Sequence, residues 1–103
     1  MADVVLHQDA ERELEEAAEY FDREASPYYG PLFLDAFNTA AARLLQYPRA
    51  GRAIGRSLRR WVMRGWKYSI IYSIEDFGIY IVAVAHQSRR PGYWRERLLS
   101  HSS

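Results

Sequence analysis

The chain has 103 residues, 49% of them hydrophobic and 15% aromatic, which predicts one packed domain over residues 1–103 and excludes a disordered protein. It has no cysteine, so disulfide bonds and thiolate zinc sites are excluded and a reducing cytoplasm is the expected compartment. No apolar run approaches the roughly 20 residues of a membrane span, and we expect neither a span nor a signal peptide.

Charge is divided unevenly along the chain. Residues 1–48 contain ten acidic side chains and three arginines, a net charge of −7, whereas residues 49–103 contain eleven basic and three acidic side chains, a net charge of +8. Thirteen of the fourteen basic residues are arginines, whose planar guanidinium suits bidentate contacts with phosphate or carboxylate groups. The basic half therefore predicts an anionic partner, either a nucleic acid or an acidic protein segment.

The N-terminal half has the pattern of a short strand followed by two helices. Asp3–Leu6 is the expected strand, and Asp9 is the expected N-cap of a helix that runs to about residue 25, with apolar residues every three or four positions. A second helix is expected from about residue 30 to residue 47, with Pro31 at the favoured first position. Because the connection is short, the two helices should form an antiparallel hairpin.

Three strands are predicted in the C-terminal half. After a loop at residues 48–55, Leu58–Met63 and residues 67–74 are the next candidates, and the second alternates with a two-residue period. A turn at residues 75–78 leads to residues 79–85, an apolar run expected to be a strand buried on both faces. The order β-α-α-β-β-β predicts an α+β fold, a small antiparallel sheet with the helix hairpin on one face and a short helical tail. The other, concave face should carry basic side chains and the site.

A polar cluster follows the last strand, where His86, Arg89, Arg90 and Tyr93 fall in one short segment. The three histidines lack metal-ligand spacing and no glycine-rich phosphate loop is present, so we expect no metal and no cofactor. The four residues suit metal-independent RNA cleavage, with His86 or Tyr93 transferring protons and Arg89 or Arg90 holding the phosphate. The structural alternative is a histidine bonded to the backbone and a Tyr93–Trp94 pair that packs the tail onto the core.

Six further residues are predicted to contact the anionic partner. They are basic or aromatic, and they lie on the strand Leu58–Met63, just after it, or in the C-terminal tail. The set is Arg59, Arg60, Trp61, Lys67, Arg95 and Arg97. We expect Arg59 and Arg60 to form one docking face for an acidic segment, and Arg95 and Arg97 to be peripheral contacts.

Several stretches in this order resemble one known family. The helix hairpin, the segments PRAGR and KYSIIYSI, and above all VAVAHQSRRPGYWRER are similar to the RelE/ParE toxins of bacterial type II toxin–antitoxin modules. The resemblance covers nearly the whole chain. It implies a small antiparallel sheet with two N-terminal helices, and a toxin held inactive by an antitoxin whose extended, partly disordered segment wraps around it.

The resemblance also bears on the target, because this family divides in two. RelE-like members cut messenger RNA on the ribosome and carry a catalytic arginine in a G-Y-R-x-x-Y context, where this chain has Ser69. A second family arginine falls near Gln87. ParE-like members lack the nuclease set, poison DNA gyrase, and commonly end their last strand in V-x-H-x-x-R-R, which residues 84–90 match. The resemblance therefore favours a ParE-like toxin.

These observations lead to one leading expectation and two alternatives. The leading one is a growth-inhibiting, plasmid-stabilising toxin that poisons gyrase and binds an acidic antitoxin segment, in a toxin–antitoxin hetero-oligomer. The first alternative is a ribosome-dependent, metal-independent endoribonuclease that uses His86, Arg89, Arg90 and Tyr93. The second is a non-toxic module that binds nucleic acid through its basic face.

Overall fold

The computed structural model describes residues 2–102, and the side chains of residues 2–98. Met1 and Ser103, at the ends of the predicted domain, lie outside the described residues. No helix within residues 2–102 has both the length and the apolarity that crossing a membrane requires. The elements, with a 3₁₀ turn at Pro48–Ala50, are β1 (Asp3–Leu6), α1 (Gln8–Glu24), α2 (Tyr29–Gln46), β2 (Arg52–Ile54), β3 (Leu58–Met63), β4 (Tyr68–Glu75), β5 (Gly78–His86) and α3 (Arg95–Ser102).

The five strands form one mixed sheet in the order β1-β5-β4-β3-β2. Strands β2 to β5 are an antiparallel meander, as predicted, whereas β1 lies parallel to β5, with Asp3 opposite Gly78 and Leu6 opposite Ile81. The α+β prediction is confirmed, and the wholly antiparallel sheet is corrected at this one pair. Tight turns force neighbouring strands to be antiparallel, but β1 is connected through the helix hairpin and is free of that constraint.

Strand β2 lies within the stretch predicted to be a loop. Its three residues pair with Leu58–Arg60 of β3, and Tyr72 fixes the chain just before it. The Tyr72 hydroxyl accepts the backbone N–H of Gly51 at 2.9 Å and donates to the carbonyl of Pro48 at 2.7 Å. A contact from a residue more than 20 positions away thus orders a segment whose local sequence predicts a loop.

Both helices begin earlier than predicted. His7, and not Asp9, is the N-cap of α1, because its Nδ1 accepts the backbone N–H of Asp9 at 3.0 Å. Helix α2 begins at Tyr29, so Pro31 occupies its third position. A proline is tolerated there since the first-turn N–H groups have no partner within the helix. The carboxylate of Asp22 accepts the N–H of Gly30 at 2.9 Å and closes the helix hairpin.

The sheet is buried on both faces. The helix face packs Phe33, Phe37 and Leu44 against Ile70 and Tyr72. The opposite face was expected to carry basic side chains, but it is a second apolar core, closed by the C-terminal tail. Its members are Leu58, Ile71, Tyr80, Val82, Ala83, Ala85 and Trp94. The tail covers this face because five of the sheet residues on the face are apolar and would otherwise be exposed to water.

A β-bulge lies in the middle of β5. Ile71 pairs with Ala83 and Tyr72 with Ile81, so the register with β4 skips Val82. The alternation of side chains shifts at that point: Ile81 faces the helices, whereas Val82 and Ala83 both belong to the second core. An extra residue of this kind redirects the backbone polar groups that follow it.

Candidate functional site

A buried glutamate on α1 is the centre of the C-terminal cluster. Glu13 is 7% exposed and accepts four hydrogen bonds. Arg97 donates to Oε1 and Oε2 at 2.8 Å each, the Tyr93 hydroxyl donates to Oε2 at 2.6 Å, and the backbone N–H of Val84 donates to Oε1 at 3.0 Å. We call this the Glu13 network. It joins α1, β5 and the tail.

The Glu13 network supplies hydrogen-bond partners to the backbone of β5 beyond the end of β1, its parallel neighbour. Strand β1 ends at Leu6, and the N–H of His7 makes the last bond, to the carbonyl of Ile81. Beyond the bulge, the carbonyl of Val82 accepts Arg97 Nη1 at 2.9 Å and the N–H of Val84 reaches Glu13. Buried backbone groups need partners, and here two charged side chains supply them in place of a strand.

The electrostatics of the network fix its protonation states. Burial raises the pKa of Glu13, but the hydrogen bonds from Arg97, Tyr93 and Val84 outweigh burial and hold it below its ordinary value of 4.5. The hydrogen bond to Glu13 likewise raises the pKa of Arg97 against the effect of burial. Burial, followed by the bond to Glu13, raises the pKa of Tyr93. At neutral pH Glu13 is ionised and Tyr93 keeps its proton.

His86 and Arg89 lie beside this network. The N–H of Ser88 donates to His86 Nδ1 at 3.0 Å, and the Ser88 hydroxyl lies 2.7 Å from the same atom. The Arg89 guanidinium lies 4.0 Å from the centre of the Tyr93 ring. His86, Arg89 and Tyr93 line one cleft of about 220 Å³. Arg90 is exposed and does not line it.

Two carboxylates share that cleft. Glu13 and Glu16 both line it, so a phosphate placed near Arg89 would also meet negative charge. The hydroxyl of Tyr93, one of the two predicted proton-transfer groups, already donates a hydrogen bond to Glu13. Within the described residues, no group of three or more His, Cys, Asp or Glu side chains lies close enough to hold a metal ion. Because of the two carboxylates and the Tyr93–Glu13 hydrogen bond, the cleft is less suited to phosphoryl transfer than to holding the tail against α1.

The predicted docking face does not exist as one surface. Arg59 and Arg60 are consecutive residues of β3 and point to opposite sides of the sheet. Arg59 Nη1 donates to the carbonyls of Gly51 at 2.7 Å and Arg49 at 3.3 Å. Arg60 lies on the other side, 6.0 Å from the centre of the Trp94 ring. The expectation of a shared face was wrong, because consecutive side chains of a strand point to opposite faces of the sheet.

The remaining predicted contacts are dispersed. Trp61 lies on the helix side, 6.0 Å from the guanidinium of Arg43. Lys67 is exposed in the turn before β4, with φ of +64°. Arg95 is exposed at the start of α3. Arg97 was expected to be a peripheral contact, and that placement is wrong: it is 9% exposed because Glu13 compensates its charge inside the protein.

Two larger grooves flank the arginine-rich strands. The first, which we call the helix groove, lies between α2 and β3 and has a volume of about 670 Å³. Four arginines line it, Arg43, Arg52, Arg60 and Arg64. Its apolar lining comes from Ala36, Ala40, Trp61, Met63 and Trp66. The second, which we call the tail groove, lies between the β2–β3 hairpin and the tail, with a volume of about 630 Å³.

The sequence reasoning missed Glu13 altogether. Glu13 is one of several glutamates on α1, and it was not among the predicted site residues. Its position did carry a signal, since Glu13 lies three residues after Ala10 and four before Ala17, both of them buried. An acidic residue in line with the apolar stripe of a helix indicates a partner for it inside the protein.

A family model and a solved structure both match this chain. A family profile described as "ParE toxin of type II toxin-antitoxin system, parDE" matches residues 4–91, which is most of the chain. A solved structure described as "Chromosomal ParDE TA system from P. aeruginosa" has a TM-score of 0.72 at 15% identity, covering 84% of this chain and 96% of that chain. A search of curated proteins gives no significant match. The fold is thus shared with a ParDE structure, and the chain belongs to the ParE toxin family of type II toxin–antitoxin systems.

Proposed function

We propose that this chain is the toxin subunit of a type II toxin–antitoxin module, that it arrests growth by poisoning DNA gyrase, and that a cognate antitoxin neutralises it in a hetero-oligomer. Membership of the ParE toxin family supports the module. The similar solved structure is of a ParDE TA system, which supports an antitoxin as the partner. The V-x-H-x-x-R-R pattern at residues 84–90 supports gyrase as the target.

The Glu13 network is the observation that favours gyrase over messenger RNA as the target. RNA cleavage needs a group that gives or takes a proton near neutral pH and a cation that is free to hold phosphate. Tyr93 and Arg97 are instead bound to one buried carboxylate, at 2.6 and 2.8 Å. Ser69 occupies the strand position where the nuclease branch of the resembled family carries an arginine. A protein that acts by binding needs none of these groups free.

Gyrase supercoiling tests the proposal directly. Purified gyrase with relaxed plasmid should lose supercoiling activity, and accumulate cleaved DNA, as the protein is added. Replacing Arg89 and Arg90 with alanine should weaken this inhibition by about tenfold, the loss of charged contacts worth roughly 1.4 kcal/mol. Arg23→Ala is the control, because this arginine is exposed on acidic α1. Undiminished supercoiling at excess protein removes gyrase as the target.

A second assay addresses the endoribonuclease alternative. Primer extension on a translated message should show no new ends when the protein is added. New cuts that disappear in a variant with Tyr93→Phe and Arg89→Ala would establish the nuclease instead. Both assays use the same protein preparation, so a positive result in one shows that a negative result in the other does not come from inactive protein.

The helix groove is the surface we propose for the antitoxin. Its apolar lining suits the hydrophobic side of a bound segment, and Arg43, Arg52 and Arg64 suit acidic residues on that segment. Among the ion pairs of the described side chains, the cations are only His7, Arg12 and Arg97. The groove arginines therefore have no carboxylate partner within that part of the chain. Asp35 is the one acid that lines the groove.

Charge reversal tests this surface. Arg43→Glu and Arg64→Glu should each raise the dissociation constant of the cognate antitoxin at least tenfold, since like charges would then face each other. Arg23→Glu should leave it unchanged. If all three variants bind the antitoxin with the same affinity in calorimetry, the antitoxin docks elsewhere. That result would leave gyrase inhibition untouched, because the supercoiling assay measures it separately.

A further inference from the structure

One stretch of the chain carries positive charge alone. Residues 36–74 contain seven arginines and one lysine and no acidic residue, a net charge of +8. This stretch includes the β2–β3 hairpin, which forms the free edge of the sheet opposite β1. The helix groove uses one side of this hairpin, and the tail groove uses the other.

Three arginines line the tail groove. Arg56 lies in the turn of the hairpin, Arg60 on β3 and Arg95 at the start of α3. None of the three forms an ion pair with a carboxylate in the part of the chain that the structure describes. Glu96 is the one acidic side chain that lines the groove. The groove thus carries uncompensated positive charge.

Arg60 is held in place by packing. Its guanidinium lies 6.0 Å from the centre of the Trp94 ring, which is 5% exposed. Arg60 Nε is the single buried side-chain polar atom among the described residues that has no hydrogen-bond partner. A guanidinium positioned by an aromatic ring, with its Nη groups bonded to no described residue, is ready to donate to an anion.

Arg95 is also positioned over the groove. The φ of Gly92 is +82°, and a Cβ added there would come within 3.0 Å of Arg95 Nε. The Arg95 side chain therefore folds back over the Gly92 backbone, and glycine makes room for it. Two of the three guanidinium groups thus lie against residues of the tail itself.

The lining also indicates which kind of polyanion fits. Proteins that bind single strands offer exposed aromatic rings on which bases stack. The aromatic ring in this groove, Trp94, is buried beneath Arg60 and offers no such surface. Arginines without a stacking platform suit a phosphate backbone whose bases remain paired. Ile54, Leu58 and Leu98 also line the groove, so an acidic peptide is the competing occupant, and the test below includes it.

We propose that the tail groove binds the phosphate backbone of duplex DNA, without sequence preference, through Arg56, Arg60 and Arg95. Arg60 lines both grooves, whereas Arg56 and Arg95 line the tail groove and not the helix groove. This site requires neither gyrase nor the antitoxin, so its test does not depend on the function proposed above. A protein that acts on a DNA-bound enzyme would gain local concentration from such a site.

Fluorescence anisotropy with a labelled 20-base-pair duplex tests the proposal. Three phosphates neutralised predict a slope of about −2.7 for log affinity against log salt, or roughly 40-fold weaker binding at 200 mM than at 50 mM salt. Arg56→Gln and Arg95→Gln, both at exposed residues, should each reduce the slope by about 0.9. Arg60→Gln should do the same if circular dichroism shows it folded. Arg23→Gln is the matched control and should change nothing, and Glu96→Gln should tighten binding.

Four outcomes overturn the proposal. The first is no duplex binding at 50 mM salt, and the second is binding that the Arg56 and Arg95 variants do not weaken relative to Arg23→Gln. The third is tighter binding of a single-stranded DNA or RNA of the same length, which would require exposed stacking surfaces. The fourth is displacement of the duplex by a glutamate-rich peptide at equal charge concentration, which would make the groove a protein-docking site.

Discussion

Glu13 and Arg97 are separated by 84 residues and joined by two hydrogen bonds of 2.8 Å. The pair fastens the first helix to the C-terminal tail across β5, because Glu13 also holds the N–H of Val84 and Arg97 the carbonyl of Val82. Asp9 adds a weaker contact to Arg97 Nε at 3.7 Å. The closure of the second core by the tail therefore depends on one carboxylate near the start of the chain.

Replacing Glu13 with glutamine should destabilise the protein strongly. Glutamine keeps the shape but leaves the buried Arg97 without its counter-charge, a loss of about 3 kcal/mol in the free energy of unfolding. Glu15→Gln is the matched control on the same helix, exposed, and should change stability by less than about 0.5 kcal/mol. Urea denaturation measures both. Equal midpoints for the two variants would show that the pair contributes nothing net.

The pH dependence of the free energy of unfolding should reflect the titration of the Glu13 carboxylate. The pKa of Glu13 is lower in the folded protein than its ordinary value of 4.5, so its stabilising effect is complete above about pH 4.5. The effect is lost as pH falls through the lowered pKa, when the folded state must take up the proton. We therefore expect the stability difference between wild type and Glu13→Gln to be constant from pH 8 to 5 and to shrink in more acidic solution.

Denaturation series at several pH values measure this difference. Carboxylates that titrate in both proteins cancel from the comparison. Glu15→Gln, exposed on the same helix, is measured alongside as the reference variant. A difference for Glu13→Gln that stays constant down to pH 3 would contradict an ionised Glu13 at the centre of the network.

Much of the fold was predictable because it is encoded locally. The apolar stripe of α1, the alternation in β4 and the apolar run of β5 each predicted an element that the structure contains. The bulge at Val82 was not predictable, since every residue from Ile79 to Ala85 is apolar and the alternation cannot be read. The parallel pairing of β1 was missed because no turn connects it to β5.

Tyr93→Phe should separate a structural role from a catalytic one. Loss of the hydroxyl removes a hydrogen bond to an ionised group, with an expected cost of about 2 kcal/mol in stability. Because we assign Tyr93 to the Glu13 network, growth arrest on induced expression should persist in this variant at a temperature where it is folded. Tyr28→Phe, at a residue 78% exposed, is the control. Loss of toxicity in a fully folded Tyr93→Phe would return Tyr93 to the catalytic candidates.

The site was less predictable than the fold, because an arginine that lines a groove and an arginine buried in an ion pair look alike in sequence. Arg60 and Arg97 lie in equally arginine-rich stretches, yet one lines a groove and the other is buried against Glu13. The difference arises from a contact across 84 residues, which no local pattern contains. Of the four predicted residues that follow β5, His86, Arg89 and Tyr93 line one cleft and Arg90 does not.

Gly78 should be the least replaceable glycine at a turn, for two separate reasons. Its φ is +137°, which side chains disfavour, and a Cβ there would overlap the backbone oxygen of Asp3 in the neighbouring strand. Gly55 has a similar conformation, φ +77°, but open space around it. Gly55→Ala should therefore cost about 1 kcal/mol from conformation alone. Gly78→Ala should cost about 3 kcal/mol or more, because the overlap also displaces β1.

Hydrogen exchange distinguishes the two effects. In Gly78→Ala the amide of Asp3, which donates to the carbonyl of Phe77 at 2.7 Å, and the amide of His7, which donates to Ile81 at 2.9 Å, should lose protection first. The amides of β3 and β4 should retain theirs, since the antiparallel meander does not need β1. In Gly55→Ala the loss should stay within the β2–β3 turn. Equal costs for both substitutions would show that β1 packs more loosely against Gly78 than this geometry requires.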